Sequence, residues 1–70
     1  MNRIKEIRQE KKLSQKDLAK KLNISQQAIS LYEKGDREPK LETWQKLADF
    51  FGVSVPYLQG LSYIKDLDRV

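Results

Sequence analysis

Apolar residues recur along this chain at intervals of three and four, the period of helices that pack through one face. No strand is evident. Residues 2–11, NRIKEIRQEK, put Ile4 and Ile7 on one side together with Arg8, with charges covering the rest. A second helical pattern begins after Ser14. Asp17 lies three residues on, the spacing of a capping box with Asp in place of the more usual Glu. The buried stripe of this helix is Leu18, Ala19 and Leu22, and Asn23 follows where a left-handed residue ends a helix. Ser25 is placed to cap a third helix that runs to about Lys34 and stops at Gly35. GDREPK, residues 35–40, is a loop rich in turn formers. A fourth helix over roughly 40–51 aligns Leu41, Trp44, Leu47, Ala48 and Phe51 on one buried face, and Gly52 ends it. VSVPYLQG, residues 53–60, predicts a short fifth helix with Ser54 or Val55 at its cap, Pro56 in its first turn and Gly60 just past its end. The tail spaces Leu61, Ile64 and Leu67 three apart. That spacing suits a further helical turn, a dimer contact or the start of a linker.

Only about three residues separate the second and third helices. So short a link forces a sharp corner, the helix-turn-helix arrangement. Turned at about 100° per residue, the third helix directs Ala28, Ile29 and Tyr32 toward the body of the domain. Gln26, Gln27, Ser30, Leu31 and Lys34 fall on the opposite side. A solvated helix face usually carries paired Lys and Glu, whereas this one carries amides, a hydroxyl and a leucine. Glutamine can bond adenine N6 and N7 together, and a leucine can press on a thymine methyl; each good bidentate contact discriminates by about 1–3 kcal/mol. The amides also lie at the N-terminal end of the second helix of the corner, the end that reaches base edges in such motifs. The same side chains also suit an ordinary solvated surface, where a single exposed leucine needs no explanation.

Composition narrows the choice. Seventy residues make one small domain, and with neither Cys nor His there is no disulfide and no such metal set to support it. No Gly-rich phosphate loop is present, and Asp66 and Asp68 fall short of an acid–base or metal site, so an enzyme is not expected and no cofactor is implied. The apolar runs are too short to span a membrane, and the charged N-terminus is unlike a signal peptide. A cytoplasmic protein is the expectation. Residues 1–40 hold eleven Lys and Arg against six Asp and Glu, while residues 41–70 hold three against four. A basic half suits a polyanion. Its members divide by role, since uncharged groups read bases while other contacts hold phosphates. Gln15 opens the second helix, where a side-chain amide and free backbone N–H groups can meet a phosphate. Lys34, Arg37 and Lys40 lie in or beside the loop after the third helix. Lys40 stands where the fourth helix needs a cap, and Lys caps poorly. Each of these cations also reads as a plain surface charge.

Over about residues 3–60 the chain closely resembles the phage-repressor/Cro-like (Xre-type) helix-turn-helix family. The matching pieces, in the family's order, are IKEIRQEKKLSQKDLAKKLNIS, QQAISLYEKG, Pro39 and LETWQKLADFFGVSVPYLQG. The resemblance implies an all-α, lambda-repressor-like domain of five helices with the third in the major groove. It implies base contacts from Gln26, Gln27 and Leu31, with Ser30 beside them, and backbone contacts from Gln15, Lys34, Arg37 and Lys40. Ser25 matches a position that caps the third helix and touches the DNA. Arg8 and Glu33 match a pair that ties the first helix to the third.

The domain is thus expected over 1–61, with 62–70 as a tail. The leading expectation is a sequence-specific regulator of transcription, a repressor, bound as a homodimer to an inverted repeat of double-stranded DNA. Leu58, Leu61 and Ile64 are candidates for a weak dimer contact. The alternative is an antitoxin-like module that holds a partner protein through residues 61–70, with Tyr63, Ile64 and Leu67 as the docking surface. Two extents fit this expectation, a complete small regulator or the DNA-binding part of a longer one.

Overall fold

The computed structural model describes residues 2–65. Five helices follow one another: α1 (Ile4–Glu10), α2 (Gln15–Leu22), α3 (Gln26–Lys34), α4 (Leu41–Phe51) and α5 (Val55–Leu58). Among the described residues there is no strand.

The helix starts follow the side-chain chemistry. Ser14 caps α2 in a full capping box: its hydroxyl accepts from the Asp17 N–H at 2.9 Å, and the Asp17 carboxylate accepts from the Ser14 N–H at 3.1 Å. Ser25 accepts from the Ala28 N–H at 3.0 Å, and Ser54 from the Tyr57 N–H at 3.1 Å. Lys40 precedes α4 without a side-chain cap bond. The first helix is shorter than residues 2–11. Asn2 stays outside it, because its side-chain oxygen accepts from the Ile4 N–H while its amide donates to the Tyr32 carbonyl on α3.

All five helices end in one way. Lys12, Asn23, Gly35, Gly52 and Gly60 are left-handed, and the N–H of the next residue reaches back to the carbonyl of Arg8, Ala19, Leu31, Ala48 and Pro56 respectively, at 2.9–3.1 Å. Asn and Gly announce such an ending in the sequence; Lys12, at φ 59°, does not.

The centre of the core takes one large, fully buried side chain from each helix: Ile4, Leu18, Ile29, Leu47 and Leu58. Burying each contributes about 1.5–3 kcal/mol relative to exposure. Ile7, Ala19, Leu22, Ala28, Tyr32, Trp44, Ala48, Phe51 and Val53 surround them. Two sequence expectations fail here. Leu41 shares the angular face of Trp44 and Leu47 but is 66% exposed. It begins α4, and side chains tilt toward a helix N-terminus, which carries it past the edge of the core. Leu58 is fully buried and cannot serve a dimer contact, because it fills the middle of its own domain.

From Leu61 to Lys65 the chain forms no helical turn. It runs back along α5 as a strap. The Ser54 hydroxyl donates to the Ile64 carbonyl at 2.8 Å, and the Ser54 N–H to the Lys65 carbonyl at 2.6 Å. Arg3 holds the strap from the other side: its guanidinium lies 4.1 Å from the Tyr57 ring centre and 5.7 Å from that of Tyr63, and it donates to the carbonyls of Tyr57 and Ser62. Leu67, Asp66 and Asp68 lie outside the described residues. No helix among the described residues is long and apolar enough to cross a membrane.

Candidate nucleic-acid interface

The corner of α2 and α3 is built from three residues, Asn23 to Ser25. Asn23 turns the chain in the left-handed region, Ile24 tucks partly against the core, and Ser25 restarts the helix. With Ala28, Ile29 and Tyr32 buried, the rotation of α3 about its axis is fixed. Gln26 and Gln27 are then exposed at its first turn. Ser30 and Leu31 are half-buried, so each offers only part of its side chain. Lys34 is exposed at the far end. Ser25 is exposed as well, and its hydroxyl, which accepts from Ala28, keeps its own proton to donate outward.

The loop after α3 is anchored. Pro39 is buried, and the Trp44 indole N–H donates to the Glu38 carboxylate at 3.2 Å. Arg37 and Lys40 flank these anchors and are both exposed.

Behind this surface lies a polar cluster. Arg8, 8% exposed, donates through Nε to Glu33 Oε2 at 2.6 Å and through Nη2 to Oε1 at 3.2 Å. Its Nη1 donates to the Leu13 carbonyl at 2.6 Å. This is the pair expected between α1 and α3. Gln15 joins it, its Nε2 donating to Glu33 Oε1 at 3.0 Å. The structure therefore ties Gln15 to the end of α3, a link that sequence reasoning missed and for which the sequence carries no signal.

Two of the eleven cations in the first forty residues are spent on structure. Arg8 is neutralised inside, and Arg3 is stacked on tyrosines beside the strap. Asp17 places a carboxylate in the first turn of α2. The backbone N–H of Ser14, and then its hydroxyl, hold the Asp17 carboxyl below its ordinary value, so that group is an anion at neutral pH.

Comparison with known proteins agrees with this architecture. A helix-turn-helix family model matches residues 4–58. The cryptic phage CTXphi transcriptional repressor RstR of Vibrio cholerae is 39% identical over 57 residues, covering 81% of this chain and 51% of RstR. The HTH-type transcriptional regulator ImmR of Bacillus subtilis is 43% identical over 58 residues, covering 83% of this chain and 46% of ImmR. An uncharacterized HTH-type transcriptional regulator of Methanocaldococcus jannaschii, MJ0272, is 46% identical over 54 residues, or 77% of this chain and 82% of that protein. The chain thus spans about half the length of RstR and of ImmR. No solved structure matches at comparable stringency. With the match spanning α1 to α5, the chain belongs to the helix-turn-helix family, in its phage-repressor-like, Xre-type branch.

Proposed function

We propose that this domain is a sequence-specific, double-stranded-DNA-binding regulator of transcription that acts as a repressor and has no catalytic activity. The observation that carries the reading is the outer face of α3, a Ser25-capped helix that exposes Gln26 and Gln27 at its first turn. In the proposed complex α3 enters the major groove. Gln26 and Gln27 read bases, with Ser30 and the exposed part of Leu31 beside them. Gln15, Ser25, Lys34, Arg37 and Lys40 hold the phosphates and set the register. Two domains occupy an inverted repeat with half-site centres about one helical turn apart. The relatives named as regulators and repressors support this reading, in which the domain acts in the cytoplasm.

Selection from a randomised duplex pool at low salt tests it. The expected result is an enriched inverted repeat with adenine-containing half-sites. Gln26→Ala and Gln27→Ala each relax preference at one position per half-site and cost about 1–3 kcal/mol there. An unchanged preference in both variants overturns the assignment of the reading face.

A second reading has its own observation. Leu61, Tyr63 and Ile64 are 79%, 93% and 60% exposed on the strap, an apolar surface suited to a partner protein. Replacing the three with serine leaves duplex binding intact and abolishes partner capture if this surface docks a protein. Capture that survives the change removes the second reading.

A further inference from the structure

Gln15 and Ser25 are the proposed phosphate contacts whose side chains are held within the protein, Ser25 by the backbone of its own helix and Gln15 by a side chain of another helix. The neighbour of Gln15, Glu33, is a carboxylate, which can only accept hydrogen bonds. The Gln15 amide must therefore turn its nitrogen inward, and one N–H is consumed at 3.0 Å by Glu33 Oε1. The second N–H is left for a partner outside the protein. An unheld glutamine can present its carbonyl oxygen instead, which a phosphate repels. Glu33 can impose this choice because it is itself fixed: its side chain is 3% exposed, and Arg8 grips both of its oxygens. Arg8 also cancels its charge, so the clamp puts no unpaired anion behind the DNA backbone.

We propose that Glu33 is a positioning residue for nucleic-acid binding: through Arg8 it locks the Gln15 amide with an N–H directed at a backbone phosphate. Because Glu33 belongs to α3 and Gln15 opens α2, one carboxylate then ties the phosphate grip to the helix that reads bases. The inference rests on the DNA-binding reading above and adds to it a group that never touches DNA.

The test uses a fluorescent 20-base-pair duplex of random sequence at low salt, since any duplex supplies phosphates. Four proteins are compared: wild type, Gln15→Ala, Arg8→Met with Glu33→Met, and the combination of all three substitutions. Exchanging both charged partners for apolar groups of similar size leaves no lone buried charge, so the fold is retained. Gln15→Ala is expected to weaken binding about three- to tenfold, the scale of one hydrogen bond. The charge-pair variant is expected to weaken it by about as much, and the combination by no more than either alone. Separate losses that multiply in the combination, or a folded charge-pair variant with unchanged affinity, overturn the proposal. A second measurement needs no variant of the pair. In ¹⁵N NMR of the free wild-type domain, with Gln15→Ala used for assignment, the Gln15 side-chain amide should be rigid on the picosecond-to-nanosecond scale, with shifts displaced from those of the exposed Gln26 and Gln27 amides. An amide as mobile as those two, with their shifts, overturns the lock directly. A wild-type domain that binds no duplex overturns the DNA-binding reading and this inference with it, whereas intact binding by the charge-pair variant overturns this inference alone.

Discussion

Two arginines five residues apart hold two corners of this domain in different ways. Arg8 is buried against a carboxylate and ties α1 to the last turn of α3. Arg3 is half-buried and holds the strap with carbonyl oxygens and two tyrosine faces, and no carboxylate meets it among the described residues. The contrast shows that the cost of removing a charge depends on what it leaves behind. Without Arg8, the Glu33 carboxylate stays in the interior with no countercharge. Without Arg3, the Ser62 carbonyl and the Tyr63 ring turn to water at little expense.

Separate replacement of each arginine sharpens the comparison. Arg8→Met is expected to destabilise the fold by about 3–5 kcal/mol, because it strands a buried charge. In a 70-residue domain that removes most of the stability, and urea unfolding reads it as a lost or much earlier transition. Arg3→Met is expected to cost about 1 kcal/mol, the scale of an exposed cation–π contact. Equal losses at the two sites would mean that the strap is as integral to the fold as the tie between α1 and α3.

The smallest effect separates the two regions by pH. The hydroxyls of Ser14 and Ser54 both cap helices, but only Ser14 has an acidic partner, Asp17. The folded state lowers the Asp17 carboxyl below its ordinary value. The stabilisation it brings is therefore present above the ordinary carboxylate range and is lost as pH falls through the lowered value. Amide hydrogen exchange should show the first turn of α2 loosening in acid while α5 holds, and Asp17→Asn should remove the difference between neutral and acidic pH at that turn. Parallel loosening of both turns would assign the acid response elsewhere.

The corner was legible because each of its signals is local. Ser14, Asp17, Asn23, Ser25 and Gly35 each act within a turn of their own position, and the spacing of Leu18, Ala19, Leu22, Ala28, Ile29 and Tyr32 states which face is buried. The strap was not legible, since it depends on Arg3 meeting residues more than fifty positions away, and no periodicity encodes that. Leu61 and Ile64 at helical spacing suggested a turn that the chain does not form, because the Ser54 hydroxyl and N–H capture the backbone in an extended return. At Leu41 the angular pattern was right and the position along the axis was not, since a helical wheel says nothing about where the core ends. At the candidate interface, the exposed glutamines followed from periodicity. The link from Gln15 to Glu33 is tertiary and appeared only when α2 and α3 were placed side by side.

The Trp44–Glu38 bond gives the protein a built-in optical gauge. Trp44 is the chain's single tryptophan, it is 3% exposed, and its indole N–H is held by a carboxylate from the loop that follows α3. Emission from this one fluorophore therefore reports on a loop flanked by Arg37 and Lys40. Any ligand that rearranges that loop changes the colour and yield of the light without an added label.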